Sequence, residues 1–418
     1  MTTIQETRWP RSETQNRGAS IGAQSIKAVV DSRACCGCGA CVSACPVPCI
    51  DFAYGERFNF PKVDDTRCLE CKKCLKVCPS AFLLSGTDPG FRDEIPDDLE
   101  CFLAHDNDDA VRDDAASGGF VTSMILHLLN SQQIDGAVVA RCEGDDPLVA
   151  ESFIATDRAS VLSARGSKYA PVSNCTIVRR ILERPGRYVF VGTPCMLEGL
   201  AKLQGIHPAL NDRIALRIGF VCAGMASRLS TRNYIEQHGK VEIARVRRIA
   251  YRGGGWPGRF RVYGEGDTLV MDRPLIGGAL THVVGRDHYI RCNNCLDHWA
   301  HFADLVASDP WFDEMVATEK QGWSAIMVRT EKGQKAVESL RRSGTVTEKP
   351  ISVSDMLSYN RHLLIDRGHP RHGWMALYQL IFHCRLKYAP YLARTALRGK
   401  LQGIRTTFFA RWAERYYR

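Results

Sequence analysis

The sequence predicts a small α+β module, then a larger α/β domain, then a helical C-terminal tail. Three observations carry this: two cysteine runs of equal spacing between Cys35 and Cys78, alternating strand-like and helix-like segments from about Leu99 to Ser343, and an apolar period of three and four residues near the C-terminus. At 418 residues the chain can build two or three domains with their own cores. Its 45% hydrophobic and 24% charged content is ordinary for a soluble globular protein. No apolar run approaches the roughly 18 residues of a membrane span. The opening stretch lacks the apolar centre of a secretory signal. A cytoplasmic protein is therefore expected, and 18 cysteines point to metal or cluster binding in a reducing compartment, not to disulfides.

Residues 1–30 are polar and read as a flexible N-terminal segment. Residues 31–85 form the cysteine module, which holds ten of the cysteines. Its first run reads Cys35-x2-Cys38-x2-Cys41-x3-Cys45-Pro46 and its second Cys68-x2-Cys71-x2-Cys74-x3-Cys78-Pro79. This is the two-cluster bacterial ferredoxin spacing, in which the fourth cysteine of each run ligates the other cluster. It assigns Cys35, Cys38, Cys41 and Cys78 to one [4Fe–4S] cluster, and Cys68, Cys71, Cys74 and Cys45 to the second. Three thiolates on one tight loop cover three irons, so the fourth must come from elsewhere. Gly37 and Gly39 let the loop curl. Zinc sites pair two CxxC halves and do not need three cysteines in register before Cys-Pro. Cys36 and Cys49 fall outside the spacing and read as bystanders.

A linker rich in Asp, Pro and Gly runs from Ser85 to about Asp98, and the α/β domain is expected over 99–345. Ser117-Gly118-Gly119 opens a helix with apolar residues at helical spacing from Phe120 to Leu129. Strands follow at IDGAVVA, RYVFVG, RIALRIGFVC and SAIMVRT, with helices after the second and the last. Cys195 and Cys222 stand at predicted strand ends, where ligands gather in α/β sheets. With Cys292-x2-Cys295 they make four thiolates, enough for a third cluster. On spacing alone a redox pair, a zinc half-site and buried structural cysteines stay open.

Two glycine turns bear polar side chains. Ser117-Gly118-Gly119 permits close backbone approach at a helix N-terminus, which suits a phosphate as well as a plain serine cap. Ser167, Lys168 and Tyr169 follow Gly166 and offer hydroxyls, a cation and a ring, or else an ordinary solvated loop. Arg252 begins a glycine-rich loop through Gly258 that reads either as a flap over a ligand or as a hairpin turn. Asp297, Asp304 and Asp309 fit caps, cluster-shell residues or catalytic acids equally.

Taken in order, ASGGFVTSMILHLL, IDGAVVA, GSKYAP, VGTPCMLEGLAKL, YRGGGWPGRF, CNNCLDHWAHFADLVASDPW and MVRTEKG resemble the beta-subunit family of coenzyme F420 hydrogenases and dehydrogenases, from about Ala115 to Gly333. Ser308 replaces the glycine that usually precedes the acid at Asp309 in that family. The resemblance implies an α/β flavin- and cluster-binding domain behind a two-cluster ferredoxin-like module. It implies FAD contacts at Ser117, Gly118, Gly119, Ser167, Lys168, Tyr169 and Arg252, and a third [4Fe–4S] cluster at Cys195, Cys222, Cys292 and Cys295. The implied activity is an oxidoreductase relaying electrons between a hydride donor or acceptor at FAD, reduced coenzyme F420 being the family's suggestion, and a redox partner protein or small electron carrier. The alternatives are a non-catalytic electron-transfer subunit and a cluster-dependent sensing protein.

Residues 346–418 read as a helical basic extension. From Arg371 onward there are ten Lys and Arg against one acid, whereas the rest of the chain carries 45 of each sign. Charge therefore gives no support to a nucleic-acid surface on the body. Leu397, Leu401, Ile404, Phe408 and Trp412 form an apolar stripe among arginines. That pattern fits peripheral contact with the inner membrane face, an acidic partner, or packing on the chain's own domain.

Overall fold

A computed structural model describes residues 25–85, 95–142, 146–284 and 287–360. The amphipathic tail, most of the N-terminal segment and the centre of the linker lie outside these residues. Among the described residues no helix is long and apolar enough to cross a membrane.

The cysteine module is built round an antiparallel hairpin, β1 (Ile50–Tyr54) and β2 (Asn59–Val63), with Ile50 opposite Val63. Short helices at Ala40–Ala44 and Lys73–Lys76 follow the first cysteines of each run. The module begins earlier than the sequence predicts. Lys27–Asp31 is helical, and Ile26, Val29 and Val30 are buried against Cys35, Cys41 and Cys74, because these apolar residues close the bottom of the module's small core.

The α/β domain contributes β3 (Cys101–Asp106), β4 (Gly136–Arg141), β5 (Glu151–Ala155), β6 (Tyr188–Gly192) and β7 (Ile214–Phe220). A separate three-stranded sheet holds β8 (Arg248–Ala250), β9 (Arg259–Tyr263) and β10 (Leu269–Pro274); β11 (Leu305–Ser308), β12 (Ser324–Val328) and β13 (Val346–Ile351) return to the main sheet. The main sheet has eight strands in the order β13-β3-β12-β11-β7-β6-β4-β5. Its centre is parallel: β4 pairs β6, β6 pairs β7, and β7 pairs β11. The outer strands pair antiparallel. β6 and β12 are buried along their whole length, as central strands covered on both faces must be.

One sheet face packs the helices Phe120–Asn130 and Glu331–Ser343. The other face packs Pro194–Ile206 and, beyond it, the cysteine module itself. Four strands of the main sheet, β3, β5, β11 and β13, are not read as strands in the sequence. β3 reads CFLAHD, with no alternation, and β13 falls in the stretch expected to be a helical extension. Residues 346–351 are an edge strand on β3 because Thr347, Lys349 and their neighbours complete its antiparallel ladder. Thr330 caps the helix Glu331–Ser343 through the Gly333 N–H at 3.2 Å and also donates to Asp304 at 2.8 Å. Thr330→Ala is expected to cost about 1–2 kcal/mol, read from a urea midpoint.

Candidate functional site

The parallel strands end at one edge of the sheet. Cys195 follows β6 at the N-terminus of Pro194–Ile206, and Cys222 lies two residues beyond β7. The Cys222 N–H donates to His298 O at 2.9 Å, which draws the Cys292–Cys295 loop over the same edge. The four thiols lie close enough to act on one another electrostatically. Burial pushes the thiols of Cys222, Cys292 and Cys295 up to about 12 each, so a metal held there by thiolates would have to displace protons. The Met225 N–H points at Cys292 Sγ at 3.4 Å, and Cys295 Sγ contacts Asp297 O at 3.0 Å.

In the module, Cys35, Cys41 and Cys78 are buried neighbours. Cys74 lies beside Cys68 and Cys71, and Cys45 joins them through Cys49, whose thiol is 3.4 Å from that of Cys45. Seven of the eight expected thiols therefore fall into the two expected neighbourhoods. The thiol of Cys38 instead contacts those of Cys36 and Cys175, on the side facing the α/β domain. Among the described residues no three His, Cys, Asp or Glu side chains close on one point as round a single metal ion.

The module is bonded directly to the α/β domain. Ser43 Oγ donates to Cys175 O at 2.6 Å, the Cys175 N–H donates to Cys38 O at 3.1 Å, and Lys202 Nζ donates to Cys78 O at 3.2 Å. The Tyr289 hydroxyl donates to Asn59 O at 2.7 Å and accepts from its N–H at 2.9 Å. Arg228 donates twice to Asn59 Oδ1, at 2.7 and 2.6 Å. By contrast Cys71 is exposed and Leu69 beside it is 63% exposed, so the second run faces outward.

Three segments singled out for a flavin meet on the same sheet edge. Ser117 Oγ pairs with Ser324 Oγ at 2.9 Å. A Cβ on Gly118 would lie 2.2 Å from Ala104 O and 2.7 Å from Ser324 N, so this glycine is required for packing on β3 and β12. Gly119 is the N-cap of Phe120–Asn130. Asp106 accepts from Ser123 Oγ in that helix's first turn. Lys168 folds back onto the carbonyls of Arg165 and Gly166, at 2.8 and 3.1 Å. Its ammonium is thus engaged at a helix C-terminus, where a cation is favoured.

The third segment differs. The glycine-rich loop joins the antiparallel strands β8 and β9, which is the hairpin reading, yet its arginine is turned inward. Arg252 is 4% exposed; its Nη1 and Nη2 donate to Asp309 at 2.7 and 3.1 Å, and Nη2 also donates to Pro257 O at 3.0 Å. Trp256 Nε1 donates to the same carboxylate at 3.0 Å. Burial works against the Arg252 charge, and Asp309 and then Tyr169 override it. Arg252 Nε is buried with no hydrogen-bond partner. Trp311, 5.4 Å from the guanidinium carbon, and half-buried Tyr169 complete a polar, aromatic-walled corner.

The other two acids have structural work. Asp304, 1% exposed, brackets Arg217 at 2.8 Å. Asp297 accepts from the N–H groups of Trp299 and His301. The sequence offered Trp256 as the large ring of a loop able to close over a ligand, but not its bond to Asp309, and it gave Trp311 no role. Only the eventual pairing of Arg252 with Asp309 gives them a place.

Comparison with known proteins bears on this edge. Two family models match: residues 101–179 match that of the N-terminal part, and residues 186–354 that of the C-terminal part, of the coenzyme F420 hydrogenase/dehydrogenase beta subunit. The chain belongs to the coenzyme F420 hydrogenase/dehydrogenase beta-subunit family. Residues 34–82 of this family member also match a 4Fe-4S dicluster domain, so it carries an iron–sulfur electron-transfer module. It is 25% identical to an F(420)H(2) dehydrogenase subunit of Methanosarcina mazei, over 78% of this chain and 87% of that protein. It is 25% identical to the beta subunit of the coenzyme F420 hydrogenase of Methanosarcina barkeri, over 60% of this chain and 82% of that one. With a coenzyme F420-dependent sulfite reductase of Methanocaldococcus jannaschii it shares 25% identity, over 80% of this chain and 50% of that protein. The family member is thus an oxidoreductase of the beta-subunit type. Its fold is similar to a chain in the F420-reducing [NiFe] hydrogenase complex from Methanosarcina barkeri, with a TM-score of 0.50 at 22% identity, covering 66% of this chain and 91% of that one.

Proposed function

We propose that the chain relays electrons between a hydride donor or acceptor at FAD and a one-electron carrier, through two clusters in residues 31–85 and a third in residues 99–345. One observation carries this reading: Cys195, Cys222, Cys292 and Cys295 gather at the sheet edge that also bears Asp309, Arg252 and Tyr169, with the first cysteine run packed directly against them. Reduced coenzyme F420 is the proposed hydride donor, taken from the relatives' names.

The fit to FAD is uneven among the residues. Ser117, Gly118 and Lys168 already have protein partners, which leaves Gly119 and the neighbouring backbone to approach the cofactor. Arg252 suits it better: its Nε is a buried donor without an acceptor and needs one from a ligand, since an unmade buried hydrogen bond costs about 1–3 kcal/mol, and Ser167 and Tyr169 lie beside it, already bonded to one another. When bound, FAD supplies the exchange of a hydride for single electrons. Asp309 keeps Arg252 charged and aimed, and Trp256 fixes the carboxylate in turn. The outward-facing second run, with Cys71 exposed among Arg67, Lys72 and Lys76, supports a protein carrier at that end and a role as one member of a larger redox assembly.

Anaerobic purification with an iron count, flavin extraction and a reductant screen tests the reading. About twelve irons per chain with FAD, and viologen reduction by a reduced deazaflavin, are expected. Turnover appearing only after a partner protein is added would favour the subunit role. Clusters without flavin would overturn the relay.

A further inference from the structure

Arg228 is a buried cation without an acid. It is 3% exposed and stands at the first residue of the helix Arg228–Tyr234, the end at which a positive charge is disfavoured. Two other arginines at the junction of module and domain are paired: Arg57 with Asp287 at 2.7 Å, and Arg232 with Glu56 at 3.2 Å. Among the described residues Arg228 makes no ion pair. Its guanidinium donates instead to Asn59 Oδ1, at 2.7 and 2.6 Å. From there every donor points the same way. Asn59 Nδ2 donates to Ser173 Oγ at 3.2 Å, and Ser173 Oγ donates to Gly37 O at 2.7 Å. Asn59 and Ser173 are buried as well. Gly37 O belongs to the peptide between Gly37 and Cys38, and the Gly37 N–H points at Cys35 Sγ at 3.4 Å. The line of donors thus starts on a cation and ends inside the first cysteine loop. Aligned hydrogen bonds in a low-dielectric interior polarise one another, so the far peptide feels the guanidinium.

We propose that Arg228 is a positioning residue for the first cluster, holding a positive charge toward the cysteine loop through Asn59 and Ser173 and so raising the cluster's reduction potential. This rests on the two-cluster reading of residues 31–85, and not on FAD or the third cluster. A buried charge needs a counter-charge. A cube held by four thiolates is a net anion, and the reduced cube carries one more negative charge than the oxidised one. The step at issue is the gain of one electron with no proton. A fixed cation therefore favours the reduced side, net charge and hydrogen bonding being what set such potentials.

The test is a potentiometric titration of the anaerobically purified full-length chain with dithionite, read by low-temperature electron paramagnetic resonance, with an iron count on every variant. In Arg228→Met one cluster signal is expected to become harder to reduce, its one-electron equilibrium shifting about tenfold, or about 59 mV, while the other signals stay. Arg228→Lys keeps the charge and is expected to restore most of the wild-type position. Ser173→Ala interrupts the line but leaves the charge, and is expected to move the same signal the same way by about threefold. Arg57→Met removes an exposed charge at the same junction and is expected to leave every signal in place. The sign separates this role from mere bracing. A junction that only loosened would admit water, which favours the more highly charged reduced cube and makes the signal easier to reduce. An absent or opposite shift in Arg228→Met at full iron content, or an equal shift in Arg57→Met, would overturn the proposal alone. If Arg228→Met does not hold its irons, Ser173→Ala decides: a signal harder to reduce supports the proposal and an unmoved one overturns it. Fewer than about eight irons in the wild type would overturn the two-cluster reading and this proposal with it.

Discussion

Asp309→Asn is expected to destabilise the chain by about 3 kcal/mol, more than Arg252→Met does, and to lower its flavin content. The asymmetry follows from burial. The Arg252 side chain is 1% exposed and that of Asp309 18%. Removing the carboxylate charge strands a guanidinium that water cannot reach, whereas removing the guanidinium leaves a carboxylate that keeps some solvent and the Trp256 N–H. An asparagine still offers one oxygen to Arg252 or to Trp256, which holds the loss near the lower end of the range for broken buried pairs. Arg252→Lys keeps the charge but cannot reproduce the two-pronged contact, so it falls between wild type and Asp309→Asn. Urea unfolding of the flavin-free chain reads the stability, and the extracted flavin-to-protein ratio reads the site. Equal stability losses in Asp309→Asn and Arg252→Met would contradict the burial argument.

The parts of this site differ in how visible they were in the sequence. The two cysteine runs were legible because a cube of iron fixes ligand spacing along a short loop. β4, β6, β7 and β12 were legible because central strands are continuous apolar runs bounded by turns. The third thiol group was half legible. Cys292-x2-Cys295 is local, but Cys195 and Cys222 join it only through the parallel pairing of β6 with β7 and β7 with β11, which no local pattern encodes. Arg252 and Asp309 lie 57 residues apart on different sheets, and nothing in either neighbourhood announces the pair. Lys168 was misleading in the opposite sense: a lysine after a glycine turn suits a phosphate, but three carbonyls at the end of the preceding helix reach it first. The edge strand β13 was hidden because edge strands carry polar residues on their exposed side, and VTEKPI has little apolar content to betray it.

Gly37→Ala is expected to loosen the cysteine module from the α/β domain, at a cost of roughly 2–4 kcal/mol, by adding a left-handed backbone penalty to an overpacking one. Gly37 sits at φ 70°, where only glycine is unstrained, and a Cβ there would lie 2.2 Å from the Tyr289 hydroxyl oxygen. That hydroxyl cannot step aside cheaply. It exchanges two hydrogen bonds with the Asn59 backbone, and the Asn59 side chain is held by Arg228, Ser173 and Pro171. A shift at Tyr289 also moves its near neighbours in the chain, Arg291 and Cys292, so the strain reaches the third thiol group directly. The same substitution at Gly205, where an added Cβ meets nothing within 4 Å, carries neither penalty and is expected to be neutral or slightly stabilising in its helix. Hydrogen exchange distinguishes local detachment from global loss. In Gly37→Ala the amides of Asn59 and Cys175, which donate across the junction, are expected to exchange faster while those of β6 and β7 keep their protection. Unchanged exchange at both amides would mean that the module is held chiefly by its buried cysteine, Met196 and Leu200 contacts, and that the polar junction at Tyr289 contributes little.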